Sequence, residues 1–313
     1  MHPEFVVTSS GADLSPPSQP LVAGLSPDVV DAVVATVESG KEAYVEFLET
    51  LVRIETPSTD PDTFGPAFDH LARGLEEAGL ISHHLPGNET AGSLYARPMD
   101  RRRDHPVQFM LGHVDTVWSL GTVNRMPVVR RNGTLRGPGV FDMKAGLTTI
   151  VFALRALRAL GLEPPADPVV LITSDEEIGS HESRRHIERL ARCAARVFVT
   201  EPGLGLHGKI KTARKGTGEY AILLHPSGAP TEAVVTEMVD LVQLLHDLND
   251  AERGTTVNVG TLQGPGTGEP FGRLGVDVRV VTQEDADRVD RLLRSRVREH
   301  IREGIRVEIR GGV

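Results

Sequence analysis

The apolar residues of this chain follow helical spacing in some stretches and strand-like runs in others. Over residues 41–54, Tyr44, Phe47, Leu48, Leu51 and Val52 recur at three- and four-residue steps, which predicts one buried helical face. A second helix is predicted over 64–80, with Phe68, Leu71, Leu75 and Ala78 inward. Short apolar runs then alternate with helical stretches. Strands are predicted at 107–110, 168–173 and 197–200, and helices at 143–160 and 183–192. This alternation predicts an α/β unit whose sheet is mostly parallel, with helices on both faces.

The rhythm changes near residue 212. Strands are predicted at 218–225, 256–262, 274–281 and 305–309, and helices at 232–248 and 283–300. Val235, Met238, Val242 and Leu245 form the expected inner face of the first of these helices. The order βαββαβ is that of a ferredoxin-like α+β sandwich. Three parts are therefore expected: a disordered tail at 1–27, an α/β domain at 28–211 and a small α+β domain at 212–313. The tail is rich in Ser, Pro and Gly and shows no period, and order is expected to begin at Ser26-Pro27-Asp28.

Composition narrows the functional classes. The chain has 313 residues and a formal net charge of −9, without the basic stripe a nucleic-acid binder carries. No apolar run reaches the ~18 residues of a membrane span, and no basic-then-apolar leader opens the chain. Neither nucleic acid nor membrane is expected as a partner, and a cytoplasmic location is expected by default. The lone cysteine, Cys193, excludes an internal disulfide and is expected as a small core residue.

The candidate chemistry lies where the predicted strands end. His113, Glu176, Glu177 and Glu201 each follow a strand, and ligands of open α/β sheets bind at the strands' carboxyl ends. Asp142 closes a Gly-rich loop just before a helix. His113 and Asp115 are two residues apart on an extended chain, so Asp115 can hold the ring nitrogen that His113 does not give to a metal. Glu176 and Glu177 are neighbours and point in different directions, so one can bind a metal while the other stands over the reacting water. Nitrogen and oxygen donors without thiolate suit Zn2+, with Co2+ or Mn2+ as alternatives. Asp142 is placed to bridge two such ions.

Four motifs carry a resemblance: Gly112-His-Val-Asp-Thr-Val117, Gly137-Pro-Gly-Val-Phe-Asp-Met-Lys-Ala-Gly146, Ser174-Asp-Glu-Glu-Ile-Gly-Ser180 and Thr200-Glu-Pro-Gly203. In combination they resemble the M20 metallopeptidase family, over about residues 40–313. The wording is most similar to the glutamate carboxypeptidase branch, and Arg214-Lys-Gly216 agrees. The family includes acetylornithine deacetylase, succinyl-diaminopimelate desuccinylase and aminoacylases.

The resemblance implies a zinc-peptidase-like fold and a metal-dependent hydrolase that cleaves a peptide or N-acyl amino acid amide bond. It implies that His113 and Glu201 hold one metal, Glu177 holds the other, and Asp142 bridges them. Asp115 would orient His113, and Glu176 would be the general base. It also implies a homodimer formed through the small domain.

Two departures from the family set a second expectation. The family's catalytic domain resumes after the small domain and brings a further His ligand, whereas this sequence stops at Gly311-Gly312-Val313. The second metal is then expected to have only Asp142 and Glu177, and the sheet to expose apolar surface. The stretch His225-Pro-Ser-Gly-Ala-Pro230 lacks the His that family members carry there, so substrate-binding residues are left unassigned. The competing expectation is an impaired or inactive homologue that binds or dimerises, or an enzyme completed by a second chain.

Overall fold

The computed structural model describes residues 26–102, 104–205, 208–211, 213–264 and 271–313. Most of the expected tail, and most of the loop at 264–272, lie outside them. The chain divides into two compact units, one ending at Gly208 and the other beginning at Lys209.

The first unit opens with helices α1 (Pro27–Ser39) and α2 (Lys41–Arg53), followed by α3 (Gly65–Glu77). Strands β1 (Leu80–Leu85), β2 (Ser93–Pro98) and β3 (Val107–His113) come next. A single-turn helix α4 (Thr122–Arg125) and a small hairpin, β4 (Val129–Arg131) with β5 (Thr134–Arg136), lead to a wide turn at Val140–Lys144. The unit continues with α5 (Ala145–Ala159), β6 (Asp167–Thr173), α6 (Arg184–Cys193) and β7 (Ala194–Val199).

The main sheet has the order β1-β2-β6-β3-β7. β3 runs parallel to both β6 and β7, whereas β1–β2 and β2–β6 are antiparallel. The parallel part is the predicted one, and the β1–β2 pair was not anticipated. Alternation along the strands sorts their side chains to two faces. Leu94, Ala96, Met110, Val170 and Ile172 meet Leu51 of α2, Leu71 and Leu75 of α3, and Leu147, Ile150 and Leu154 of α5. Tyr95, Phe109, Val169 and Leu171 face the other way, under Ile187 and Leu190 of α6. Helices thus cover both faces. Edge strand β7 exposes Val197, Phe198 and Val199, in line with the expected exposed apolar surface. Cys193 is exposed at the end of α6, not in the core as its helical setting predicted.

The second unit is β8 (Gly216–Pro226), α7 (Thr231–His246), β9 (Thr256–Gln263), β10 (Gly272–Val280), α8 (Gln283–His300) and β11 (Ile305–Gly312). Its sheet has the order β11-β8-β10-β9 and is antiparallel throughout. Tyr220, Ile222, Leu274, Val276 and Val278 of one sheet face pack under Met238 and Leu241 of α7 and Val289 and Leu293 of α8. The βαββαβ order is as predicted, but the inner face of α7 is turned slightly. Val234 and Leu241 are buried beside Met238 and Leu245, while Val235 is 46% exposed. No helix among the described residues is long and apolar enough to cross a membrane.

Candidate metal centre

His113 is the last residue of β3 and is only 1% exposed. Its backbone N–H donates to Met143 Sδ at 3.2 Å. Its Nδ1 lies 3.0 Å from the Asp115 carbonyl oxygen and 3.3 Å from Asp115 Oδ1, which fixes the ring and turns Nε2 outward. Three carboxylates from three other segments face Nε2: Asp142 at 3.2 Å, Glu201 at 3.3 Å and Glu176 at 3.8 Å. The candidate ligand atoms of His113, Asp142 and Glu201 all lie within 4.8 Å of one another. Glu177 is not one of this group. It follows Glu176 in a short turn after β6 and is partly buried.

The charges of the cluster act on one another. Burial pulls the His113 imidazole down, but the hydrogen bonds that it donates to Asp115 and Glu201 and the charges of Asp115 and Glu176 push it up to about 11. Burial raises Asp142 and Glu176 above the usual carboxylate range, and the Glu201 charge adds to both. Burial, with Asp142 and Glu176 close by, pushes Glu177 up to about 7. The carboxylates repel, and a divalent cation among them would remove that cost. An imidazole oriented by a carboxylate, with two carboxylates completing a three-donor set, fits such a cation.

Asp115 is 0% exposed. Besides holding His113, its carboxylate accepts the backbone N–H groups of Glu176 (3.2 Å) and Glu177 (3.0 Å). It therefore fixes the segment that carries the proposed base, a contact that residue spacing did not predict.

The segment 54–58, directly after α2, also escaped the sequence reading. Glu55 accepts the N–H groups of Gly121 and Val123, each at 2.9 Å. Thr56 Oγ1 donates to Val114 O, and Pro57 bridges Thr116. Lys144, two residues after Asp142, is 1% exposed and donates from Nζ to Ile54 O at 2.7 Å. Burial holds this ammonium down to about 7, against the nearby Glu55 charge. A lysine inside a motif whose other residues, apart from Asp142, are small or apolar was the one available signal.

The chain is similar to several known proteins. Carboxypeptidase G2 of Pseudomonas sp. (strain RS-16) is 25% identical over 268 residues, which are 82% of this chain and 64% of that protein. The succinyl-diaminopimelate desuccinylase of Xylella fastidiosa (strain M23) is 35% identical over 131 residues, 40% of this chain and 33% of that protein. The chain thus spans less than two thirds of the length of these relatives. In fold it is similar to human carnosine dipeptidase 1, with a TM-score of 0.66 at 14% identity, covering 90% of this chain and 79% of that one. It is similar also to the M20 family metallo-carboxypeptidase Sso-CP2 from Sulfolobus solfataricus, with a TM-score of 0.65 at 16% identity, covering 87% and 77%. Residues 109–308 match the family described as Peptidase family M20/M25/M40, and this match covers more than half of the sequence. The chain belongs to Peptidase family M20/M25/M40.

Proposed function

We propose that the chain is a metal-dependent hydrolase of a peptide or N-acyl amino acid amide bond. The observation that carries this reading is the convergence of His113, Asp142 and Glu201, with Glu176 Oε2 only 3.8 Å from His113 Nε2. His113, Asp142 and Glu201 would hold the metal, Zn2+ by the donor set, with Co2+ or Mn2+ as substitutes. When bound, that ion would act as a Lewis acid that polarises the scissile carbonyl and acidifies water. Glu176, whose carboxyl burial raises above its ordinary value, would take a proton from the attacking water and return it to the leaving amine. Asp115 holds both the imidazole and the Glu176 backbone, so it sets the geometry of donor and base together.

The similarity to carboxypeptidase G2 favours substrates with a free terminal carboxylate, and the motif wording, which resembles the glutamate carboxypeptidase branch, points to glutamate conjugates among them. Glu177 is proposed as a ligand of a second, weaker metal that Asp142 would share. We propose further that residues 212–313 pair the chain as a homodimer. Exposed Val239 of α7 and Leu262 of edge strand β9 support this. A cytoplasmic location is part of the proposal, and the free cysteine agrees with it.

The test is metal content together with hydrolysis of N-acyl amino acids and glutamate conjugates, each with Zn2+, Co2+ or Mn2+ added. The expected results are at least one tightly held metal per chain and turnover that chelation abolishes. Glu176→Gln should lower kcat by about 10²–10⁴-fold with metal content unchanged, and His113→Ala should lose the metal. A second reading, a metal-binding homologue without turnover, is favoured by Glu177 standing outside the three-donor group. Metal retention with no hydrolysis, in wild type and Glu176→Gln alike, would establish that reading instead.

A further inference from the structure

Asp115 has two carboxylate oxygens and four donors around them. Oδ1 faces Glu176 N at 3.2 Å and His113 Nδ1 at 3.3 Å. Oδ2 faces Glu177 N at 3.0 Å and Ser58 Oγ at 2.8 Å. Three of these contacts are hydrogen bonds to the carboxylate, while His113 Nδ1 makes its own with the Asp115 carbonyl oxygen at 3.0 Å. Three of the donors belong to the proposed base segment and to the proposed metal ligand. The fourth, Ser58, lies 57 residues away in sequence and belongs to neither.

Ser58 is itself held firmly. Its backbone N–H donates to Thr116 O at 3.2 Å, and Thr116 N–H donates to Thr56 O at 2.8 Å. These bonds lay residues 56–58 along the end of β3, and Ser58 is 8% exposed. Its hydroxyl has a single proton. The alternative acceptor, Thr116 O, is 3.4 Å away, so the proton goes to Asp115, whose charge strengthens the bond.

We infer that Ser58 is a positioning residue for Glu176: its hydroxyl holds the Asp115 carboxylate in the one orientation that grips the Glu176 and Glu177 amides while facing His113. Without that hydroxyl, Asp115 Oδ2 keeps only the Glu177 amide, and nothing on the Ser58 side stops the carboxylate from rotating about its Cβ–Cγ bond. The amides of the base segment then lose fixed acceptors, and the Glu176 side chain loses its fixed approach to the donor set. A hydrogen bond to a charged, buried acceptor is among the stronger ones in proteins, which makes the expected effect measurable.

The role of Glu176 as base rests on the proposed function, while the hold of Ser58 on the segment does not. Amide hydrogen exchange on the metal-free full-length chain therefore tests the inference separately. In Ser58→Ala, the amides of Glu176 and Glu177 should exchange about tenfold faster or more. Val170 and Leu171, in the core of the preceding strand β6, should keep their protection. Ser58→Thr, which retains the hydroxyl, should restore slow exchange. In hydrolysis assays, Ser58→Ala should lower kcat by about tenfold or more, with KM and metal content unchanged. Unchanged exchange at 176–177 in Ser58→Ala would overturn the inference. So would equal loss of protection across β6, or Ser58→Thr behaving like Ser58→Ala. If the Ser58 variants show the expected exchange pattern and the wild-type chain hydrolyses nothing, the base role of Glu176 falls and the hold of Ser58 stands.

Discussion

Glu182 shows how much one side chain can organise at the surface. Its carboxylate accepts the backbone N–H groups of Asn88, Glu89 and Thr90, the Asn88 side-chain amide and the Thr90 hydroxyl. Burial opposes its charge, but these donors win and bring its pKa down to about 2 from 4.5. The clasp ties the β1–β2 turn to the segment after Glu177, where Asp175 accepts the N–H groups of Glu182 and Ser183. A depressed carboxylate stabilises the fold fully above its unfolded pKa and loses that contribution as pH falls through its folded one. Glu182→Gln should therefore lower the melting temperature of the first unit by roughly 2–4 °C at pH 7. The gap between variant and wild type should hold down to about pH 4.5 and shrink toward pH 2. A gap that does not change across that range would show that the charge contributes nothing.

At the scale of elements, α5 and the end of β7 approach so closely that only glycine fits between them. A Cβ on Gly146, in the first turn of α5, would lie 2.0 Å from the carbonyl oxygen of Thr200, the residue before Glu201. Gly146→Ala must push the two apart. It should cost about 1–3 kcal/mol in a denaturant titration and weaken metal binding in calorimetry by displacing Glu201. Unaltered metal affinity would mean that Glu201 moves freely of α5. The motif holding Gly146 was legible in the sequence, but the reason for the glycine was not, because it lies in a backbone 54 residues further on. Legibility followed the same rule elsewhere. The cores of α2 and α3 were readable because each presents a single apolar stripe. α7 carries apolar pairs, Val234-Val235, Leu241-Val242 and Leu244-Leu245, so two adjacent faces fit the period equally well. The β1–β2 pair was missed because Ser82, His83 and His84 interrupt any apolar run, and His83 and His84 stay exposed. At the site, strand-end position marked His113, Glu176 and Glu201. Ser58 and the wider role of Asp115 depend on contacts between distant segments, which no local pattern encodes.

At the scale of the whole molecule, each unit carries a core of its own. Leu71 lies in the first, among α2, α3, α5 and the main sheet, and Leu241 in the second, between α7 and the four-stranded sheet; both are 0% exposed. Truncating either leaves a cavity that costs about 2–5 kcal/mol. Units of this size, each with its own core, are of the kind that unfold cooperatively as separate bodies. Differential scanning calorimetry should therefore show two transitions, with Leu71→Ala lowering one and Leu241→Ala the other. The proposed metal donors all belong to the first unit. A ligand that binds only the folded form raises only the transition of the body that binds it. Added Zn2+ should then raise the transition that Leu71→Ala lowers and leave the other in place. His113→Ala should abolish that rise without moving the second transition. If instead a single transition is seen, Zn2+ raises it, and His113→Ala removes that rise, the two units unfold as one body and the metal stabilises the chain as a whole.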